Sequence, residues 1–318
     1  MKKALIGMSL ALACSGVAAT EFPTQTMTLI VPYTAGGSSD SLARAVGAAV
    51  AKEADKTLIV ENRPGGSTVI GAQYLLNKPA DGHTVLLMAA SFVVNPNTIK
   101  DLPYDTQKDF KPVTQLAANP HVLVVRNDLP VSNLQEFIEW AKQPSSQGSY
   151  SSFGLASSGH LGFELFNKQA GTELLHVPYK GAAPATLAVL TGEVDATLGD
   201  IGVVAPHVQA GKVKAIAVTG DTRMDMLPDV PTFAEAGLPD LNSASWFGLV
   251  VPAATPDEHV AALNKLYKQA LSADTVQNVM RQQGMHAVAS TPEEFAQFMQ
   301  AESDKYKQII DDAGIVLQ

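Results

Sequence analysis

The sequence is poor in the residues that staple, ligate or span. It has one cysteine, Cys14, and two tryptophans in 318 residues, and only 17% of its residues are charged. No apolar run approaches the roughly 20 residues a membrane helix needs. The longest at the N-terminus, Ala4 to Ala13, follows Lys2 and Lys3 and precedes the small residues Val17, Ala18 and Ala19. That order predicts a signal peptide over residues 1–19, cleaved after Ala19, and hence an exported, periplasmic protein. Ala11 to Cys14 also reads as a loose lipobox, which would leave the protein lipid-anchored through Cys14. Cleavage after Ala19 instead removes the only thiol, and with it any disulfide, thiolate nucleophile or cysteine-bound metal. Basic charge is scarce as well. Loss of Lys2 and Lys3 takes the formal net charge from −9 to −11, with 20 basic residues against 31 acidic. Such a chain is a poor partner for nucleic acid.

Catalytic and cofactor signatures are missing too. There is no Walker A loop and no G-x-G-x-x-G fingerprint. The seven histidines show no H-E-x-x-H or paired spacing, so no metal and no cofactor is expected. Gly154 to Gly159 has the outline of a nucleophile elbow, but the serine position of G-x-S-x-G is Ala156. An acid pair of Asp40 and Asp200 has no spacing to argue for it. A secreted hydrolase or lyase on the same frame would need an activated nucleophile, a metal or an acid–base pair.

What is present is alternation. Thr28 to Pro32, Thr57 to Glu61 and Thr84 to Ala89 read as buried strands, the third running on to Ser91. Between them lie helical patterns, the first with Leu42, Val46 and Val50 on one face. A second set follows Val122 to Arg126, an extended stretch able to cross between domains. It opens with a capping pattern at Ser132 and contains strands at Ser149 to Phe153, Leu174 to Tyr179, Val194 to Leu198 and Val213 to Thr219. Gly171 suits the C′ position of the helix beginning near Ser158. The last third adds a strand at Phe247 to Val251, a helix from Pro256 and a capping box at Thr291 to Glu294. Strand–helix–strand repetition predicts an α/β fold with mainly parallel sheets, and about 300 mature residues predict two domains.

The loop from Pro32 to Asp40 carries the clearest chemistry. A strand runs through Gly36 and Gly37 into a helix whose first turn is Ser38, Ser39 and Asp40. Glycines allow close backbone approach, and free N–H groups at a helix start attract an anion. An ordinary βα turn with a Ser or Asp cap is the plain alternative. Gly65 to Thr68, Gly154 to His160 and Lys180 to Pro184 are built alike, and such starts at strand carboxyl ends are where open α/β sheets bind ligands. Backbone amides and hydroxyls suit a carboxylate without an arginine clamp. His160 and His176 could line a cleft or simply cap and pack.

Several strings together resemble one family, the substrate-binding proteins of tripartite tricarboxylate transporters (Bug-type receptors). They are Pro32 to Asp40, Glu61 to Gly66, Asp81 to Thr84, Tyr150 to Leu161, His176 to Gly181, Ala210 to Lys214, Leu227 to Gly237 and Trp246 to Pro256. They cover nearly the whole mature chain in order. The resemblance implies a two-lobed periplasmic binding protein fold of type II-like form, two sheets flanked by helices with a ligand cleft between. Domain 1 would comprise 20–115 and a return at 222–318, with domain 2 at 116–221. It further implies a monomer that closes on a small organic carboxylate or amino acid and passes it to membrane transporter subunits. A membrane signalling protein is the alternative recipient. The implied ligand residues are Tyr33, Ala35, Gly36, Gly37, Ser38 and Asp40 in the first loop, with Ser91 nearby. Lobe 2 would contribute Ser157, Ser158, His160, Tyr179, Lys180, Gly181 and Asp200. Two departures stand out. Family members usually carry glycine where this chain has Ala156, and the acid after the strand ending at Leu198 is displaced by one, giving Gly199-Asp200. Asp200 is expected either to face the distal end of the ligand and favour an amino or hydroxyl group there, or to serve as a helix cap or hinge hydrogen bond.

Overall fold

The computed structural model describes residues 22–143, 146, 148–241 and 243–313. The expected leader, with Cys14 and the Ala19 cleavage point, lies outside them. Among the described residues, no helix is long and apolar enough to cross a membrane.

The first half runs β1 (Met27–Val31), α1 (Ser38–Glu53), β2 (Leu58–Asn62), α2 (Val69–Leu76), β3 (Thr84–Met88) and α3 (Ala90–Thr98). A single long strand, β4 (Phe110–Arg126), then crosses to the second half. There follow α4 (Leu134–Ala141), β5 (Ser149–Ser152), α5 (Ser158–Ala170), β6 (Leu175–Pro178), α6 (Ala182–Leu190), β7 (Ala196–Asp200), α7 (Ile201–Gln209) and β8 (Val213–Val218). The chain returns through β9 (Ala244–Pro252) to α8 (Asp257–Leu271), α9 (Asp274–Gln282), β10 (His286–Ala287) and α10 (Pro292–Ala313).

Both halves obey one plan. β2, β1 and β3 are parallel, as are β6, β5 and β7. The connecting strands are antiparallel: β9 pairs with β3 and β4, and β4 pairs with β7 and β8. The expected parallel βαβ sets are therefore present, but the strands joining them run against them because the chain must cross and come back. Pairing changes partner within two residues of β4. Pro120 sits opposite Ala244 of β9, whereas His121 sits opposite Asp200 of β7.

Alternation of side chains explains why these strands read as unbroken apolar runs. Leu29, Val31, Val85, Leu87, Leu249 and Val251 enter the core under α1, α8 and α9. Ile30, Leu86, Met88 and Val250 enter the opposite core, beneath α2, α3 and α10. In the second half Leu123 and Val125 face α4 and α5, while Val122 and Val124 face α6 and α7. The segment after β8 stays with that half, since Leu227, Phe233 and Leu241 are buried in its cores.

Three local readings shift. The helix expected from Ser132 is capped one residue later: Asn133 accepts the Glu136 amide, and the Glu136 carboxylate accepts the Ser132 amide. Ser91 lies in the first turn of α3 rather than ending β3, because burial of Phe92, Val93 and Val94 outweighs their preference for strands. Finally α7 and α9, not distinguished in the sequence, form where chain return demands them. The Thr291 box is realised reciprocally, with the Glu294 amide at 3.1 Å from Thr291 Oγ1 and the Thr291 amide at 2.8 Å from Glu294 Oε2. Thr291→Ala should cost about 1 kcal/mol, read as a lower urea midpoint with unchanged slope.

Candidate functional site

The loop after β1 is shaped by an acid that has no acceptor left to spare. Asp40 Oδ2 accepts the Gly36 amide and Arg44 Nε, both at 3.0 Å, and Oδ1 accepts Asn62 Nδ2 at 3.0 Å. Partial burial pushes this carboxyl up, but hydrogen bonds from Arg44, Gly36 and Asn62 outweigh it and hold it below the usual carboxylate range. Asn62 also donates to the Tyr33 carbonyl at 3.1 Å, tying β2 to the loop. With Asp40 so engaged and Gly37 at the cap position, no side chain caps the start of α1.

The same condition recurs around one small cavity between the halves. That cavity, about 30 Å³, is lined by the first residues or caps of five helices: Ser38 and Ser39 of α1, Ala89 and Ala90 at α3, Ser157 and Ser158 at α5, Ala182 of α6, and Asp200 at α7. Of the five starts, only α5 has a side-chain cap, Ser157 Oγ accepting the His160 amide at 3.3 Å. Unspent N–H groups and five positive dipole ends therefore converge on one point, and no lysine or arginine lines it. Such a place favours an anion. The Ser38 hydroxyl is buried there with no hydrogen-bond partner. Tyr33, Phe153 and Phe247 complete the wall.

The floor is a buried polar cluster on the crossing strands. Ser245 Oγ donates to Asp200 Oδ1 at 2.6 Å. Ser245 Oγ also lies 3.0 Å from His121 Nε2. His121 Nδ1 lies 2.9 Å from Ser243 Oγ, which donates to the Ser158 carbonyl at 3.2 Å. Ser158 Oγ lies 3.2 Å from Ser245 Oγ. Burial, helped by the distant Lys305 charge, lowers His121 to about 3, so the ring is neutral. Burial likewise raises Asp200 to about 6, against the lowering influence of the Ser245 and Ser38 hydroxyls. Ser38 closes no hydrogen bond of its own to that carboxylate. Asp200 occupies the cap position of α7 yet caps nothing with its side chain.

Across the cleft the halves touch through backbone. Thr34 Oγ1 and its amide both donate to the Lys180 carbonyl, at 2.8 and 3.2 Å. Gly181 adopts φ +134°, and a Cβ there would stand 2.9 Å from Thr34 Oγ1. Gly181→Ala should push the halves apart through strain of about 1–3 kcal/mol. Small-angle scattering of the ligand-free protein checks this as a larger radius of gyration than that of the parent.

Of the residues singled out in the sequence, Tyr33, Ser38, Ser157, Ser158 and Asp200 line the cavity. Gly36, Gly37 and Gly181 contribute adjacent backbone, Gly37 lying against Ala182 across the cleft. Ala35 and Lys180 are exposed and Tyr179 is half-buried, none of them on the cavity wall. Ser91 is buried behind Tyr33, whose hydroxyl burial raises. His160 turns inward: Nδ1 accepts the Ala156 amide at 3.1 Å, and its ring stacks on His176 at 3.8 Å. Ala156 itself adopts φ +59°, the left-handed conformation that suits glycine. Ser39 and Ala182 fall within loops the sequence singled out, whereas sequence reasoning missed Ala89, Ala90, Phe153, Phe247 and above all Ser245. Ser243 and Ser245 alternate just ahead of the apolar run of β9, a period-2 signal for two hydroxyls on one face.

A larger hollow of about 890 Å³ lies on the outer side of the first half, between α3 and α10. No helix starts at it; of its charged residues Lys100, Asp304 and Lys307 face solvent, and the half-buried Asp105 is paired with Lys108. Chemistry therefore points to the small cavity between the halves.

Residues 42–315 match the family described as the tripartite tricarboxylate transporter family receptor. The chain belongs to this family. Protein BugT of Bordetella pertussis is 30% identical over 99% of this chain and 98% of its own. Among solved structures, Rpa4515 of R. palustris with adipate has a TM-score of 0.88 at 34% identity, covering 93% of this chain and 99% of that one. MatC (Rpa3494) from Rhodopseudomonas palustris with bound malate has a TM-score of 0.85 at 30% identity, covering 91% and 100%. The receptor thus has the two-lobed fold of a periplasmic binding protein, with lobe 1 the half containing β1 and lobe 2 the half containing β5.

Proposed function

We propose that this receptor captures a small organic carboxylate between its lobes in the periplasm and delivers it to the membrane subunits of a tripartite tricarboxylate-type transporter. One observation carries the reading: five helix starts, four without side-chain caps, converge on a cavity with no cation among its lining residues. Adipate and malate in the two structural neighbours support the ligand class. The ligand carboxylate takes the amides and hydroxyls of Tyr33 to Ser38 from lobe 1 and of Ser157 and Ser158 from lobe 2. The protein acts as a monomer, without cofactor or catalysis, and binding energy goes into closing the lobes. Lobe 2, expected at 116–221 with the return at 222–318, is better drawn from His121 to Ser243, where the pairing of β4 changes and β9 begins.

A thermal-shift screen of refolded, ligand-stripped protein against a carboxylate panel tests this. Ligand at one hundred times its dissociation constant should stabilise by about 2.7 kcal/mol. A panel without response, with turnover of any member, would end the receptor reading.

A further inference from the structure

The cavity wall and its floor make opposite electrostatic demands. Its wall is a ring of positive dipole ends suited to an anion, while its floor carries a carboxylate, Asp200, which is 3% exposed. A structural role for that acid is hard to find. It caps no amide of α7. Among the described residues its carboxylate receives one hydrogen bond, from Ser245. The groups facing it are Ser245 of β9, His121 of β4 with Nε2 at 3.7 Å, and Ser38 of α1. Tyr33 and Ser158 stand beside them on the same wall. None is cationic, since His121 makes both ring nitrogens part of a neutral serine relay.

A carboxylate buried without a cation is costly unless something else brings the charge. A ligand with only carboxylates would add a second anion beside the first and be repelled by it. A ligand with an ammonium beside its carboxylate satisfies both demands at once. Building on the carboxylate-receptor reading, we propose that Asp200 is a specificity-determining residue which accepts the ammonium of an amino-carboxylate, whose carboxylate meets the helix starts at Ser38 and Ser158.

Matched probes decide it. Isothermal titration calorimetry would use L-aspartate, L-malate and succinate, then L-alanine, lactate and propionate, so that ammonium, hydroxyl and hydrogen alternate on one skeleton. Ligand-stripped parent, Asp200→Asn and Asp200→Ser would be compared, with melting curves confirming that each variant folds. The parent should favour the amine member of the better-binding trio at least about tenfold, the range for a hydrogen bond to a charged group. Both variants should bring that ratio to within about threefold while retaining the deaminated ligand. The inference is overturned, with the carboxylate reading intact, if the parent prefers the hydroxy or deaminated member. An unchanged ranking in both variants does the same, as does succinate binding with uptake of one proton, seen as buffer-dependent heat. If no carboxylate binds at all, here or in the wider panel, the receptor reading falls and this falls with it.

Discussion

Asp200→Asn should make the protein more stable at neutral pH, by about 3 kcal/mol. The side chain sits at about 6 in the fold because burial penalises its charge, against about 3.9 in an unfolded chain. Below about pH 4 both states hold the proton and the acid costs nothing. Between about 4 and 6 the unfolded chain releases it while the fold keeps it, so stability declines as pH rises. Above 6 the deficit is complete, about two pH units' worth at 1.36 kcal/mol each. Asparagine keeps the acceptor for Ser245 and removes the charge. Urea denaturation at pH 7.5 and 4.5 checks it: a gain at the first and little change at the second. A residue kept as a helix cap or hinge bond would behave oppositely, losing about 1 kcal/mol at both. The measurement thus separates two roles that the sequence left open.

The acid limb should be steep. His121 and His160 are lowered to about 3 and His176 to about 4, each chiefly by burial, with His176 also lowering its stacked neighbour His160. All three are neutral in the fold, whereas unfolded imidazoles take protons from about pH 6.5 downward. Their contribution is whole above 6.5 and is lost as pH falls toward 4. Once the unfolded rings are charged, three protons correspond to about 4 kcal/mol per pH unit. Asp200 offsets up to one of these protons between about pH 6 and 4, leaving two, or about 3 kcal/mol per pH unit. With ordinary domain stability of about 5–15 kcal/mol, cooperative unfolding is expected near pH 4 to 5 by circular dichroism. His176→Gln keeps a polar partner for Ser152 Oγ, 2.6 Å away, and should shallow the slope by up to one proton. An equal slope in that variant would show the ring to be charged in the fold.

Much of this architecture was legible because both faces of each strand are buried, so runs such as Leu29 to Val31 and Leu86 to Met88 are apolar throughout. Caps were legible to within one residue, as Asn133 in place of Ser132 shows, since Ser, Asn and Glu compete for the same amides. The first loop was legible because two glycines and two serines have few uses at a strand end. What escaped was whatever depends on two distant segments meeting. Ser245 becomes a site residue only because β9 returns beside β4, and local patterning carries no record of that return. Asp40 looked like a ligand residue for a converse reason: nothing in its neighbourhood announced that Asn62, 22 positions on, would occupy its oxygens.

The floor of the cavity is made of the strands that cross between the lobes. His121 lies where β4 changes partner, Ser245 pairs with Asn119 at the same crossing, and Asp200 faces His121 across the ladder. If Asp200 reads the ligand as proposed, a change there also alters the strands that join the two lobes. For this receptor, ligand preference and the rate of release are coupled traits. Variants selected for a new carboxylate through positions 121, 200 or 245 will open and close on a new timescale, while those selected through the first loop can keep the old one.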